Sequence, residues 1–145
     1  MNPALRVSLE ALEACELGWP RSLQKLDLER AQRGLPRSLR PRVTELVSSC
    51  LRQRRSLRLI VGHCLRRSLK KAKPRLAATL QLATLLQLRQ DPDAIKLRKA
   101  APSRKIKERL DRLEGLLTRE SWFLQQGLRP IIIDASQPNQ GSTPR

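Results

Sequence analysis

The stretch AATLQLATLLQL, residues 77–88, decides the fold of this 145-residue chain. It is apolar almost all round, and Pro74 suits the first turn of a helix that contains it. A helix that is apolar on most sides lies in the middle of a bundle, where other helices cover it. We therefore predict a central, largely buried helix over residues 74–89.

Amphipathic segments flank this central helix on both sides. Leu dominates the apolar residues and aromatic residues make up only 2% of the chain, which favours helices over strands. The fold class is therefore all-α, a compact bundle of about seven helices in one domain over residues 1–127. A flexible, disordered tail is expected over 128–145. Besides the central helix, the apolar periodicity predicts helices over 3–17, 21–33, 37–53, 55–68, 93–100 and 104–119.

Polar residues of two predicted helices give expectations of local structure. In the first helix Leu5, Leu9 and Leu12 are predicted to share one face, and Glu10, Glu13 and Glu16 are expected to turn outward. Ser103 is expected to cap the helix that begins at residue 104.

The cysteines and the termini indicate a compartment. Cys15, Cys50 and Cys64 fall on the apolar sides of predicted helices and are too scattered for a disulfide framework. They suit reduced thiols in a core. The N-terminus lacks the basic and apolar regions of a signal peptide, and no apolar run is long enough to cross a bilayer. A cytoplasmic protein without a membrane partner is the expectation.

The charge of the chain indicates the class of its partner. Thirty Lys and Arg against thirteen Asp and Glu give a formal net charge of +17. Residues 52–75 contain ten cations and no carboxylate. Such a segment repels itself unless a polyanion lies against it, and the usual cellular polyanion is nucleic acid. The candidate RNA-binding residues are Arg6, Arg52, Arg54, Arg55, Arg58, Arg66, Arg67, Lys70, Lys71 and Lys73, all as phosphate or sugar contacts.

Other site chemistries find little support in the sequence. His63 is the only histidine, and no set of four donors surrounds it, so a metal site is not predicted. No nucleophile–base pair and no glycine-rich phosphate loop occur, so neither an enzyme nor a cofactor is predicted. Because Trp19, Trp122 and Phe123 are the only aromatic residues, RNA recognition must rely on phosphates, Arg planes and polar contacts to bases.

Two rival functions stay open at this point. Residues 37–68 could form a helix-turn-helix, which would make the protein a helical DNA-binding regulator. The would-be recognition helix RRSLRLIVGHCLRR, residues 54–67, has few Asn, Gln or Ser side chains for base edges. A basic protein that binds acidic protein surfaces is the other alternative.

Residues 40–88, RPRVTELVSSCLRQRRSLRLIVGHCLRRSLKKAKPRLAATLQLATLLQL, carry a family resemblance. A helix ending in a basic turn, an aliphatic helix, a Leu-Lys-Lys linker with proline and a Leu-rich helix follow one another. This order resembles the NusB-like RNA-binding domain of antitermination factors and of RsmB-type ribosomal RNA cytosine-C5 methyltransferases. The helix LRVSLEALEACELG, residues 5–18, is similar to the family's opening helix, where Arg6 matches an early arginine.

The resemblance implies a function. It implies a non-catalytic RNA-binding protein that acts in transcription antitermination or ribosomal RNA production and holds single-stranded leader or ribosomal RNA on a basic helical face. A small ribosomal protein and the transcription machinery are the implied protein partners. A stand-alone remnant of the RNA-binding N-domain of an rRNA methyltransferase is the alternative. The family's asparagines are absent from DPDAIKLRKAA, residues 91–101, and from KIKERLDRLEGLL, residues 105–117.

Overall fold

The computed structural model describes residues 2–18, 31–66 and 69–119, and these residues are helical without a strand. The prediction of an all-α fold is confirmed for this part of the chain. Short 3-10 helices at Arg37–Leu39 and Leu69–Lys71 precede α2 and α4. The α-helices are α1 (Pro3–Gly18), α2 (Arg40–Arg52), α3 (Arg54–Leu65), α4 (Pro74–Leu88), α5 (Asp93–Lys99) and α6 (Arg104–Arg119).

Helix α4 is the centre of the bundle, as the stretch 77–88 predicts. It packs against each of the other five α-helices, and every residue from Ala77 to Leu86 is buried. Leu80, Leu82, Leu85 and Leu86 are almost completely inaccessible to solvent. The described residues contain no Phe, Tyr or Trp, so burial of these leucines from all sides is the main source of stability in this part of the chain.

The polar side chains of α4 are buried without cost to the core because they find partners. The hydroxyl groups of Thr79 and Thr84 donate to the carbonyl oxygens one turn earlier, at 2.7 and 2.8 Å. Gln81 donates to the Ala77 carbonyl at 3.0 Å and to a carboxylate on α1. Hydrogen bonding of this kind removes the penalty of burying a hydroxyl or an amide.

Two helix starts agree with the sequence signals, and one helix ends earlier than predicted. Pro41 lies in the first turn of α2, and Ser103 Oγ accepts a hydrogen bond from the Ile106 N–H at 3.2 Å, which confirms the predicted cap. Helix α3 ends at Leu65, three residues before the predicted end. The chain leaves the helix at Arg66, whose φ of 53° is left-handed. A residue in this conformation stops a helix and satisfies its last carbonyl groups.

Several expectations fall outside the described residues. The predicted helix over 21–33 does so almost entirely, as do the tail over 128–145 and the domain boundary near residue 127.

Two expectations about side chains can be compared with the structure. The expectation that Glu16 faces solvent was wrong, because only 11% of its side chain is exposed. The buried cysteines Cys15, Cys50 and Cys64 agree with the sequence-based prediction.

Candidate nucleic-acid interface

A groove lined by cationic side chains lies beside α3, and we call it the basic groove. Its volume is about 880 Å³. Helix α2 supplies its first residues, α3 its wall and the turn at Leu69–Lys71 its far end. No Asp or Glu of the described residues lines it. Its lining consists of Leu51, Arg52, Arg54, Arg55, Arg58, Leu59, Gly62, His63, Arg66, Leu69 and Lys70.

The two faces of α3 explain why this wall is basic. Leu57, Ile60, Val61 and Cys64 recur at helical spacing and are buried against the other helices. The opposite face, which carries Arg55, Leu59 and His63, is therefore turned to solvent. Leu59 is 62% exposed, so the wall of the groove contains an apolar surface as well as cations.

Two arginines of the groove are held by one carboxylate. Arg54 Nε donates to Glu16 Oε2 and Arg54 Nη2 to Oε1, both at 3.3 Å, and Arg58 Nη1 donates to Oε1 at 3.0 Å. Gln81 Nε2 donates to the other oxygen of Glu16 at 3.1 Å. About a fifth of each arginine side chain is exposed, at 23% for Arg54 and 20% for Arg58. Both guanidinium groups line the basic groove, and the carboxylate on α1 fixes their positions.

The carboxylates of the described residues are used elsewhere in ion pairs. Arg42 Nη2 lies 2.6 Å from Asp91 and 2.9 Å from Asp93. Arg89 Nη2 lies 2.6 Å from Glu45 Oε2. Within the described residues each remaining Asp and Glu also lies within 4.0 Å of a Lys or Arg nitrogen. Of the carboxylates in the described ranges, only Glu16 pairs with cations of the basic groove, which leaves the groove with a positive surplus.

The ion pairs next to α4 shift the pKa values of their members. Burial opposes the charged form of Arg42, but hydrogen bonds with Asp91 and Asp93 outweigh it and raise the pKa of that guanidinium. Burial likewise opposes ionisation of Glu45, yet the hydrogen bonds from Arg89 and Ser49 lower the pKa of that carboxyl. Both shifts favour the charged pairs, which act as structural contacts between α2 and the end of α4.

A second groove lies between the turn at Leu69–Lys71, α4 and α6, and we call it the apolar-floored groove. Its volume is about 690 Å³. The floor is aliphatic and is formed by Leu65, Leu76 and Ile106, with the buried Leu80 behind them. Its rim is cationic, and no carboxylate of the described residues lines it. The rim cations are Lys70, Lys71, Lys73, Lys105 and Arg109.

The structure brings together most of the predicted site residues. Arg52, Arg54, Arg55, Arg58, Arg66 and Lys70 line the basic groove, and Lys70, Lys71 and Lys73 line the apolar-floored groove. Arg6 lines neither groove and pairs with Glu10 at 3.9 Å on the exposed side of α1. Arg67 lies outside the described residues.

Two cations were missed at the sequence level. Lys105 and Arg109 come to the rim because α6 packs against both α3 and α4. Their spacing of four residues, next to the inward-facing Ile106, could have indicated one shared helix face. Nothing local connects that face to the cations of residues 52–75, which lie far away along the chain.

Two further features concern metals and membranes. Within the described residues no group of three or more His, Cys, Asp and Glu side chains could hold a metal ion. His63 is exposed in the basic groove. No helix in the described ranges has both the length and the apolar character needed to cross a membrane.

Comparison with known proteins gives no relative from which the function of the interface could be inferred. No family model, no curated protein and no solved structure matches the chain. The similarity of residues 40–88 to the NusB-like domain stays an expectation from the sequence.

Proposed function

We propose that the protein is a non-catalytic RNA-binding protein of the NusB-like class, which holds single-stranded RNA on its basic groove. By resemblance it would act in transcription antitermination or ribosomal RNA production. One observation carries the proposal: cations from α2, α3 and the turn before α4 converge on one groove whose described lining has no carboxylate.

The charges of the groove suit a phosphate backbone. Arg55 and Arg66 are exposed, and within the described residues no carboxylate oxygen lies within 4.0 Å of their guanidinium nitrogens. Arg54 and Arg58 keep part of their surface in the groove while Glu16 orients them. Cations that lack an internal partner gain most from a phosphate, because binding releases condensed counterions from the nucleic acid.

The join between α2 and α3 favours RNA over the DNA-regulator alternative. A helix-turn-helix uses a turn of three to four residues that often contains glycine. Here Gln53 is the only residue between the two helices, and it is buried. The exposed face of α3 also forms the wall of a concave groove, whereas a recognition helix must protrude into a DNA major groove.

Other partners in the proposal come from the resemblance alone. A small ribosomal protein and the transcription machinery would bind another face of the bundle. A stand-alone remnant of an rRNA methyltransferase N-domain would use the same groove, and only its RNA target would differ.

Salt-titrated binding to three probes of equal length tests this function. The probes are a single-stranded RNA from a ribosomal RNA leader, a scrambled version of it, and duplex DNA. We expect the leader RNA to bind most tightly and to retain its binding at moderate salt. Equal binding of all three probes, lost together as salt rises, would indicate only nonspecific electrostatic binding and would contradict the proposal.

Matched charge variants locate the interface. Replacing Arg52, Arg55 and Arg66 with Gln should weaken RNA binding and reduce the salt slope by about 0.7 for each lost phosphate contact. The control replaces Arg37, Lys99 and Arg112 with Gln, which removes equal charge from exposed positions outside both groove linings. Equal weakening by the two triple variants would show that net charge, and not the groove, binds RNA.

A further inference from the structure

The two grooves meet at the turn before α4. Leu69 and Lys70 line the basic groove on one side and the apolar-floored groove on the other. Lys70 is exposed at this junction. A polymer that leaves the basic groove at Lys70 therefore enters the second groove without crossing a carboxylate of the described lining.

The composition of the second groove differs from that of the first. Its four lysines are exposed, whereas Arg109 is half-buried like the aliphatic side chains Leu65, Leu76 and Ile106. The basic groove holds six cations of residues 52–70 along its length. Cations outnumber aliphatic side chains in the lining of the first groove, whereas aliphatic side chains outnumber cations in the second, which suits a ligand with both anionic and apolar surfaces.

An unpaired nucleotide combines these two surfaces. Its phosphate is anionic and the faces of its base are weakly polar, so single-strand binding sites combine cations with platforms for bases. The planar guanidinium of Arg109 can supply such a platform at the rim, and aliphatic side chains can cover the other side of the base.

Four of the five rim cations have no carboxylate partner in the described part of the chain. Within residues 2–18, 31–66 and 69–119, no carboxylate oxygen lies within 4.0 Å of the side-chain nitrogens of Lys71, Lys73, Lys105 or Arg109. Neighbours on α6 differ in this respect, since Arg104 pairs with Glu108 and Lys107 pairs with Asp111. The face of α6 that meets the groove is thus the face without ion pairs.

We infer that the RNA-binding track continues through the apolar-floored groove, where Lys105 contacts a phosphate, the guanidinium of Arg109 stacks on an unpaired base and the aliphatic floor covers the other face of that base. This inference rests on the proposed function and adds α6 to the interface. It makes the binding site longer than the predicted segment 52–75. It also requires a single strand at this position, because a paired base cannot lie on the floor.

Strands of two lengths test the inference. The short RNA has about 5 nucleotides and the long RNA about 12, within the roughly 4–16 nucleotides that small single-strand sites cover. The wild-type protein should bind the long strand about tenfold more tightly. Replacing Lys105 and Arg109 with Ala should remove most of this gain and leave the short strand unaffected. The control, Lys99→Ala with Arg112→Ala, loses equal charge and should keep the gain.

Abasic positions test the role of the floor separately. A long strand without bases over its last few nucleotides keeps all of its phosphates. If the floor receives a base, removal of the bases at one end of the strand should reduce the gain several-fold in the wild-type protein. No effect at either end would overturn the assignment of a base to the floor.

The remaining outcomes separate this inference from the proposed function. Short and long strands that bind equally, with no effect of Lys105→Ala and Arg109→Ala, would overturn the inference and leave the basic groove intact. Failure of both strands to bind would overturn both proposals. If the double substitution spares both strands but abolishes binding of an acidic amphipathic peptide, the second groove is a protein site and the inference is wrong.

Discussion

Arg58 Nη1 lies 3.0 Å from Glu16 Oε1, so a carboxylate on the first helix orients a guanidinium of the basic groove. Arg54 shares the same carboxylate, and Gln81 of the central helix donates to its second oxygen. Three helices are thus joined at one largely buried charge. The contact stabilises the fold, and it also places a negative charge beside a surface that we propose binds a polyanion.

Glu16→Gln should separate these two effects. The neutral amide weakens the charge-assisted hydrogen bonds to both arginines, so the free energy of unfolding should fall by about 1–3 kcal/mol. Affinity for RNA should rise and the salt slope should steepen, because the arginines lose a competing anion. Denaturant titration measures the expected fall in the free energy of unfolding, and salt-dependent binding measures the expected rise in affinity for RNA. Lower RNA affinity in a folded variant would mean that Arg54 and Arg58 act only when Glu16 orients them.

Removing both arginine partners of Glu16 should lower the free energy of unfolding more than removing two exposed arginines. Arg54→Ala with Arg58→Ala leaves the carboxylate of Glu16 with Gln81 as its one remaining donor among the described residues. An unpaired, largely buried charge should lower the free energy of unfolding by about 1–3 kcal/mol or more. Arg55→Ala with Arg66→Ala, which removes the same charge, should change it by less than about 1 kcal/mol. Urea unfolding of both variants makes the comparison, and equal stability would contradict the assigned role of Glu16.

The leucines of α4 should dominate the stability of the bundle. Leu80→Ala and Leu85→Ala each delete a side chain that is at most 1% exposed, and each should cost about 2–5 kcal/mol. Leu17→Ala is the control, because Leu17 is 74% exposed and its loss should change stability by less than about 0.5 kcal/mol. Thermal or urea unfolding gives the values. Full stability of the α4 variants would contradict the central position of this helix.

The thiol of Cys50 should be unreactive in the folded protein. Burial raises its pKa to about 12, so the thiol stays protonated well above neutral pH. Since the thiolate is the reactive form, a thiol reagent at pH 8 should modify Cys50 slowly in the native state and rapidly in urea. Mass spectrometry of the modified peptides makes the measurement. Rapid native labelling of Cys50 would show that α2 opens readily.

Acid should weaken the contact between α2 and the end of α4. The pKa of Glu45 is lower in the folded protein than its usual value of 4.5, because Arg89 and Ser49 outweigh the effect of burial. Its stabilising effect is therefore fully present above about pH 4.5 and is lost as pH falls through the folded-state pKa. Stability measured from pH 6 to 3 should fall less steeply in Glu45→Gln than in wild type. Parallel profiles would exclude a contribution from this carboxyl.

Local patterns were sufficient to predict the helices in the described part of the chain and the presence of a basic surface. The stretch 77–88 predicts a buried central helix because an all-round apolar sequence can only be satisfied by neighbours on every side. Ser103 predicts a cap because its hydroxyl group can satisfy a backbone N–H of the same turn. The density of cations over residues 52–75 likewise predicts a basic surface, since charge cannot be buried in quantity.

Contacts between distant segments could not be predicted in the same way. The spacing of α1 puts Glu16 four residues after Leu12, on the face of the leucines, so the expectation that it faces solvent misread the helix period. That Arg54, Arg58 and Gln81 meet the carboxylate there depends on the packing of α3 and α4. Lys105 and Arg109 have no sequence link to the basic segment and reach the second groove only through the packing of α6.

The amino-acid sequence by itself therefore determined the helical class, the buried position of α4 and the presence of a basic surface, because each depends on the periodicity or composition of one segment. The tertiary structure decided which cations are paired, which are exposed and which share a groove. The physical reason is that an ion pair such as Arg58–Glu16 depends on the distance between side chains 42 positions apart, and only helix packing sets that distance.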